Sequence, residues 1–348
     1  MSLWIDKYRP TTLENLTFNQ GLSRKLKNLT DSDFPHLLIF GPSGAGKKTR
    51  ILCILKELFG DGAEKIKIDQ RSFETQRKKL DINIISSKYH IELTPSDVGT
   101  YDKIVFQELL TEIAQTQQID ADAKQRFKVV VINEADEITR DAQAALRRTM
   151  EKYMSNLRII LCCNSTSRII EPIRSRCMLI RVPLPSIDEI STTLQHIASN
   201  EEIHLSKSLA DKISLQSQRN PRKAILTFEV MASQKKKLND NVEIPKVDWE
   251  QVIDDIVGKI VKTQAAETLS TVRQKIYELQ SHCIPPSLIL KKIALGLFTN
   301  EDIHSKAKFD IINSATHYDH RLRTGRHSIF HIEAFVSSAM SAILSTKY

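Results

Sequence analysis

A nine-residue segment in the first fifth of the chain has the glycine spacing and the lysine of a phosphate-binding loop. It reads Gly41-Pro42-Ser43-Gly44-Ala45-Gly46-Lys47-Lys48-Thr49. The glycines let backbone N–H groups converge on phosphate oxygens, the helix that follows adds positive potential, and Lys47 can reach the β- and γ-phosphates. The segment therefore predicts a nucleotide-binding site, for which we expect ATP or ADP, although the loop by itself leaves a guanine nucleotide open.

Two positions that should hold Mg²⁺ depart from the usual pattern. Lys48 stands where a Ser or Thr hydroxyl would ligate the metal, and Thr49 comes one residue too late. Asn133 replaces the Asp that normally supports the metal, although the next residue, Glu134, is retained. We expect weak or absent Mg²⁺ binding, no metal held by protein ligands, and a vestigial catalytic role for Glu134. The alternative is that water and phosphate oxygens hold the metal well enough for turnover.

Three more polar residues have chemistry that suits a nucleotide site. Asn164 ends an apolar run and can hydrogen-bond a γ-phosphate or a water, although Asn is also an ordinary turn former. Arg222 follows Asn220-Pro221, which suit the cap and first position of a helix; the alternative is a solvated arginine. Arg176, in Ser175-Arg176-Cys177, is the kind of residue that a neighbouring subunit inserts into an active site.

Buried strands and amphipathic helices alternate through the first half of the chain and would position these residues. The apolar runs are 36–40, 129–132 and 158–163, and residues 51–59 have helical spacing before Gly60. Continuous apolar strands separated by helices predict a parallel sheet covered on both faces. Residues 1–181 therefore read as an α/β nucleotide-binding domain.

The second half of the chain is predicted to be helical. Pro183-Leu184-Pro185 marks a boundary, and a capping box at 186–189 begins the first helix beyond it. We predict a small helical domain over 182–238, a linker at the lysine run 235–237, and a third, all-α domain over 239–348.

Composition is that of an ordinary globular protein with a positive charge. The chain has 348 residues, 41% of them hydrophobic and 26% charged, and a formal net charge of +8. This charge permits binding to a polyanion. The odd number of cysteines, five, with no Cys-x-x-Cys pair, favours reduced thiols. The charged N-terminus predicts no signal peptide, and we expect no membrane-spanning segment because no apolar run approaches the required length.

A basic segment after the first domain's early helix could contact DNA. Apolar and polar residues alternate over 80–84 and 89–93, which predicts a hairpin or paired strands. Arg77, Lys78, Lys79 and Lys88 give this segment its positive charge. The alternative is a solvated basic hairpin with no role in nucleic-acid binding.

The order of these motifs resembles that of replication factor C small subunits. The resemblance rests on residues 4–10 (Trp-Ile-Asp-Lys-Tyr-Arg-Pro), the phosphate-binding loop, residues 133–136, residues 141–151, Asn164 and residues 175–177. It covers essentially the whole chain, and the altered metal positions resemble the member of that family whose Walker motifs are degenerate. The resemblance implies an AAA+ P-loop domain with a helical lid, followed by an all-α collar domain that joins subunits.

The resemblance also implies roles for particular residues. Tyr8, Arg9 and Pro10 would line the base pocket. Asn164 would be sensor 1, and Arg222 would be sensor 2. Arg176 would act in trans as an arginine finger, with Arg147 and Arg148 at the same interface. Lys103 and Arg140 would track DNA phosphates. The implied partners are other replication factor C subunits, the sliding clamp PCNA and primer–template DNA in the nucleus, during replication and repair.

Three other functions remain open at this point. A P-loop nucleoside kinase would need a working Mg²⁺ ligand after Lys47 and no long helical tail. A catalytically active AAA+ ATPase would need Ser or Thr at position 48 and Asp at position 133. A scaffold with no bound nucleotide would have no use for the intact Gly46-Lys47 pair.

Overall fold

The computed structural model describes residues 2–31, 33–75, 78–94, 102–115, 127–154, 156–234 and 244–346. The chain forms two compact units, unit 1 over Met1–Ile244 and unit 2 over Pro245–Tyr348. Unit 1 contains an α/β part and a small helical part, and unit 2 is all helical in its described residues. This is the predicted combination of α/β and helical parts.

The described part of unit 1 is built on a seven-stranded sheet with the order β2-β3-β4-β5-β6-β1-β7. The strands are β1 (Leu37–Phe40), β2 (Lys67–Thr75), β3 (Lys78–Ser86), β4 (His90–Leu93), β5 (Lys128–Ile132), β6 (Leu157–Cys163) and β7 (Met178–Arg181). Strands β4, β5, β6, β1 and β7 are parallel, whereas β2 and β3 pair antiparallel and join the sheet through β4. The edge where the parallel strands end is called the carboxyl edge below.

Helices cover both faces of the sheet, which explains why its central strands are apolar throughout. The helices are α1 (Trp4–Lys7), α2 (Gln20–Thr30), α3 (Lys47–Phe59), α4 (Asp102–Gln115), α5 (Arg140–Lys152) and α6 (Glu171–Arg174). Leu38, Val130 and Leu161 face α4 and α5, whereas Ile39 and Val131 face α3. Both faces of each central strand are therefore buried, as in other parallel sheets.

The small helical part of unit 1 contains α7 (Ile187–Asn200), α8 (Lys207–Gln216) and α9 (Pro221–Gln234). The predicted capping box is present: Ser186 Oγ accepts from the backbone N–H of Glu189, and the Glu189 carboxylate accepts from the backbone N–H of Ser186. Helix α1 packs on this part, with the Trp4 ring 5.2 Å from that of Phe228. The N-terminal segment therefore contacts the helical part before it enters the α/β part.

Unit 2 contains α10 (Asp248–Lys262), α11 (Ala266–Ser281), α12 (Pro286–Thr299), α13 (Ser305–Thr324) and α14 (Ser328–Ser345). Contrary to the sequence-based expectation, α14 has the length and composition of a possible membrane span. One face of the helix, which includes Ile332, Phe335 and Val336, is nevertheless fully buried among the other helices of the unit, whereas Phe330 on the other side is exposed. Helix α14 is therefore accounted for as the core helix of this bundle.

Candidate nucleotide-binding site

The phosphate-binding loop lies between β1 and α3, at the carboxyl edge of the sheet. Gly44 and Gly46 have φ angles of 79° and 83°, in the left-handed region that favours glycine. A Cβ atom on Gly44 would lie 2.0 Å from Asn220 Oδ1, so a side chain there would displace the start of α9. The sequence-predicted loop thus has the backbone conformation that its glycines indicate.

The Lys47 ammonium connects the loop to the end of β6. It donates to the carbonyl oxygens of Gly41 at 2.7 Å and Pro42 at 2.9 Å, and to Asn164 Oδ1 at 2.9 Å. Burial lowers the pKa of Lys47. The structure therefore brings together the loop lysine and the residue expected to be sensor 1.

Lys48 takes no part in these hydrogen bonds and makes an ion pair with a residue that sequence reasoning did not select. Its Nζ lies 3.0 Å from Glu92 Oε2, and the Glu92 side chain is only 3% exposed. No directed hydrogen bond reaches that oxygen from the described residues, so the ion pair is its compensation. The position that would carry a metal-ligating hydroxyl thus carries a cation neutralised by a buried carboxylate.

The segment after β5, residues 133–136, has a strained residue in its backbone and a carboxylate that contacts Asn164. The Asn133 N–H donates to the carbonyl of Leu93 at 2.9 Å, which extends the ladder between β4 and β5. Glu134 has φ 49° and ψ 43°, a left-handed conformation that costs a non-glycine residue about 1 kcal/mol. Asp136 Oδ2 accepts from the Asn164 N–H at 3.3 Å. Asp136 was missed by sequence reasoning because its contact with Asn164 exists only in the folded sheet.

Within the described residues, no group of three or more His, Cys, Asp and Glu side chains is arranged to hold a metal ion. Cys162, the residue before the last of β6, does not offer a thiolate ligand, because burial raises its pKa to about 11. The residues at the loop, an ammonium at 48 and an amide at 133, do not fit a protein-held Mg²⁺.

The small helical part of unit 1 closes over the loop through Asn220. Its Oδ1 accepts from the backbone N–H groups of Arg222 at 3.1 Å and Lys223 at 3.3 Å, which caps α9 as predicted. Its Nδ2 donates to the carbonyl of Ser43 at 3.3 Å. Arg222 is exposed on the first turn of α9, and its charge is one of those that act on the pKa of Lys47.

A cleft of about 500 Å³ lies between this helical part, the N-terminal segment and the loop. Its lining includes Tyr8, Arg9, Pro10, Thr49 and Arg222. The Tyr8 hydroxyl donates to the Glu201 carboxylate at 2.5 Å, and this hydrogen bond raises the pKa of Tyr8. The residues expected to form a base pocket therefore do share one cleft with the loop.

Arg176 lies apart from this cleft. Its guanidinium donates to the carbonyl of Pro172 at 2.8 Å and pairs with Glu151 at 2.5 Å. Arg147 also pairs with Glu151, at 3.2 Å, and this hydrogen bond is the main cause that lowers the pKa of that carboxyl. None of these residues lines the cleft, so Arg176 and Arg147 share a separate surface beside α5.

Lys103 and Arg140 lie in the first turns of two adjacent helices at the carboxyl edge. The buried Asp102 carboxylate accepts from the backbone N–H of Thr139 at 2.7 Å and from its hydroxyl at 2.9 Å, which ties the start of α4 to the start of α5. Lys103 also lines a groove between these helices, together with Arg148. The two basic residues are thus held on neighbouring helix N-termini.

The basic residues of the predicted hairpin lie at opposite edges of the sheet. The predicted strands, β3 and β4, do pair, but only at Ile85↔Glu92 and Ser86↔Ile91, whereas the long antiparallel pairing is between β2 and β3, from Lys67↔Ser86 to Thr75↔Lys78. Lys78 and Lys79 begin β3 beyond the carboxyl end of β4, and Lys88 lies in the turn at the opposite edge. Arg77 lies outside the described residues.

Comparison with known proteins gives three matching family models. They are the C-terminal domain of replication factor C subunit 3 (residues 249–347), the RCF1/5-like AAA+ ATPase lid domain (residues 192–233) and the delta subunit of DNA polymerase III (residues 19–186). Among solved structures, the RuvB Holliday junction branch migration motor of Thermotoga maritima matches with a TM-score of 0.51 and 15% identity, over 77% of this chain and 85% of that chain. Fold and loop therefore define an AAA+ nucleotide-binding protein.

Curated relatives give the family. Replication factor C subunit 5 of Neurospora crassa is 53% identical over 98% of this chain and 97% of its own length. Replication factor C subunit 3 of Homo sapiens is 47% identical, over 98% and 96%, and subunit 5 of Saccharomyces cerevisiae is 46% identical, over 99% and 100%. The chain belongs to the replication factor C subunit 3/5 family of clamp-loader small subunits. The predicted resemblance is confirmed, and the nucleoside kinase alternative is set aside.

Proposed function

We propose that this chain is the subunit of a replication factor C clamp loader that holds a nucleotide without hydrolysing it. It assembles with other replication factor C subunits in the nucleus and takes part in placing the sliding clamp PCNA on primer–template DNA. The observation that carries the proposal is the pair of replacements at the metal position: Lys48 is engaged by the buried Glu92, and Asn133 brings no charge. Lys47 and Asn164, which are hydrogen-bonded to each other, and Arg222, which lines the cleft, hold the phosphates in this proposal.

The hydrolysis proposal predicts that Glu134 contributes almost nothing to turnover. We expect Glu134→Gln in the assembled loader to leave the DNA- and clamp-stimulated hydrolysis rate unchanged, because a general base is of use only where the metal and the water are positioned. Glu137→Gln, an exposed carboxylate paired with Arg168, is the matched control. Loss of one site's share of the total rate in Glu134→Gln alone would instead favour the active ATPase alternative.

The carboxyl edge of unit 1 is proposed as a path for the DNA backbone. Lys78 and Lys79 begin β3 on this edge, and Lys103 and Arg140 lie in the first turns of α4 and α5 there. A row of cations on secondary-structure ends can follow phosphates without reading bases.

If DNA follows this path, the effect of removing a basic residue on DNA binding should depend on where the residue lies and not only on its charge. We expect replacement of Lys78, Lys79, Lys103 and Arg140 by Ser to flatten the salt dependence of primer–template binding by about 0.9 log units per lost phosphate contact. Lys88→Ser is the matched control, since Lys88 lies at the opposite edge, and its slope should equal that of the wild type. Equal slopes in the fourfold variant and the wild type would leave the hairpin without a role in DNA binding.

Two further roles complete the proposal. Arg176 acts on the nucleotide of a neighbouring subunit, in keeping with its distance from the lining of its own cleft. Unit 2 serves as the collar that joins the subunits, since it keeps large apolar side chains exposed on α12 and α13.

A further inference from the structure

We propose that the Lys48–Glu92 pair takes the place of the divalent cation, so that this site binds nucleotide without a metal. This inference rests on the proposed function, because it concerns the same nucleotide site. Absence of hydrolysis would not by itself require it, since a site can bind Mg²⁺–nucleotide and still fail to turn it over.

Position and reach support the inference. Residue 48 leaves the first turn of α3 at the point where P-loop proteins place the hydroxyl that ligates the metal. A lysine is longer than a serine, and its ammonium extends to β4, where Glu92 holds it at 3.0 Å. The Lys48 side chain is still 45% exposed, so the side of the ammonium that does not face Glu92 can meet a phosphate.

The burial of the Glu92 side chain indicates that the ion pair is part of the folded structure and not an incidental surface contact. The Glu92 side chain is 3% exposed, and a buried carboxylate is costly unless a cation compensates it. In the sheet Glu92 lies opposite Val131, two residues before Asn133, so the pair reaches the segment where the metal-supporting Asp would stand. A buried carboxylate, that of Glu92, thus holds the Lys48 ammonium beside the loop.

The charged groups around the phosphate-binding loop explain why this site does not need a divalent ion and disfavours one. A nucleotide without metal carries three or four negative charges, and Lys47 and Arg222 can offset part of that charge. Glu92 balances the charge of Lys48, so the pair offers a phosphate an N–H donor without adding net charge. A divalent ion at the usual place would have to compete with the Lys48 ammonium that already neutralises Glu92, while Asn133 would offer it no charge.

The test is a binding measurement on the purified full-length chain, with a fluorescent ADP analogue as the probe, in excess Mg²⁺ and in excess EDTA. For the wild type we expect the two Kd values to agree within about twofold. Lys48→Arg keeps the positive charge and should behave in the same way. Lys48→Thr/Glu92→Gln should weaken binding in EDTA by about tenfold or more, and Mg²⁺ should restore it.

The double variant is preferred to Lys48→Thr alone, because that single change would leave the Glu92 carboxylate buried without its cation. Wild-type binding that is lost in EDTA would overturn the inference while leaving the proposed lack of hydrolysis intact. The inference would also be overturned if Lys48→Thr/Glu92→Gln bound the ADP analogue with the same Kd in EDTA as in Mg²⁺. The ion pair would then have only a structural role. Absence of binding under both conditions would overturn nucleotide holding itself.

Discussion

Arg176→Ala in the assembled loader is expected to reduce hydrolysis at the neighbouring site by about 10³-fold. Arginine fingers stabilise the charge that develops during phosphoryl transfer, and Arg176 lies outside the lining of its own cleft, paired with Glu151. Nucleotide binding by this chain should therefore be unchanged. The measurement is DNA- and clamp-stimulated hydrolysis by the whole complex, together with nucleotide content.

Two further variants test whether the loss of hydrolysis is specific to the guanidinium of Arg176. Arg168→Ala removes another exposed arginine that pairs with a glutamate, so it controls for loss of a surface ion pair. Arg176→Lys keeps the charge but loses the planar fork, and it should recover only a small part of the rate. A normal rate in Arg176→Ala would contradict the proposed role in trans.

Phe309→Asp/Ile312→Asp is expected to abolish stable assembly with the other subunits. These residues lie one turn apart on α13, with 69% and 43% of their surface exposed, and Leu295 and Phe298 form a similar pair on α12. Lys308 lies 5.8 Å over the Phe298 ring, so the two helices present these pairs close together. Burying carboxylates in an apolar interface should weaken it by about 100-fold or more.

The readout is co-purification with the other subunits, combined with thermal unfolding of the isolated variant. The melting temperature should be close to that of the wild type, because the substituted side chains are exposed. Leu215→Asp is the matched control, since Leu215 on α8 is 60% exposed but lies outside unit 2. Unimpaired assembly of the α13 variant would show that this surface does not join the subunits.

Local patterns of apolar residues in the sequence predicted much of the fold. The strands β1, β5 and β6 were predicted within a residue or so, because buried parallel strands are continuously apolar and need no distant information. Strand β2 was not predicted, since Lys67–Thr75 is rich in polar residues and lies at the edge of the sheet, where only its pairing with β3 holds it. For a related reason the sequence does not show that Lys88 lies at the opposite edge from Lys78 and Lys79: nearness in sequence does not tell which end of a strand a residue occupies.

The sequence by itself determined the phosphate-binding loop, the family, the cap of α9 and the two replacements at the metal position. These are properties of short segments, in which residue type and spacing decide the backbone. Only the tertiary structure decided what the replacements do. Glu92 is remote from Lys48 in the chain and becomes its partner because the parallel strands β4 and β1 end at the same edge of the sheet, where α3 begins. The contacts of Asp136 with Asn164 and of Asn220 with the loop likewise join segments that are distant in the chain. Loss of a ligand can be read from one position, whereas its replacement by an ion pair depends on which segments meet in the folded chain.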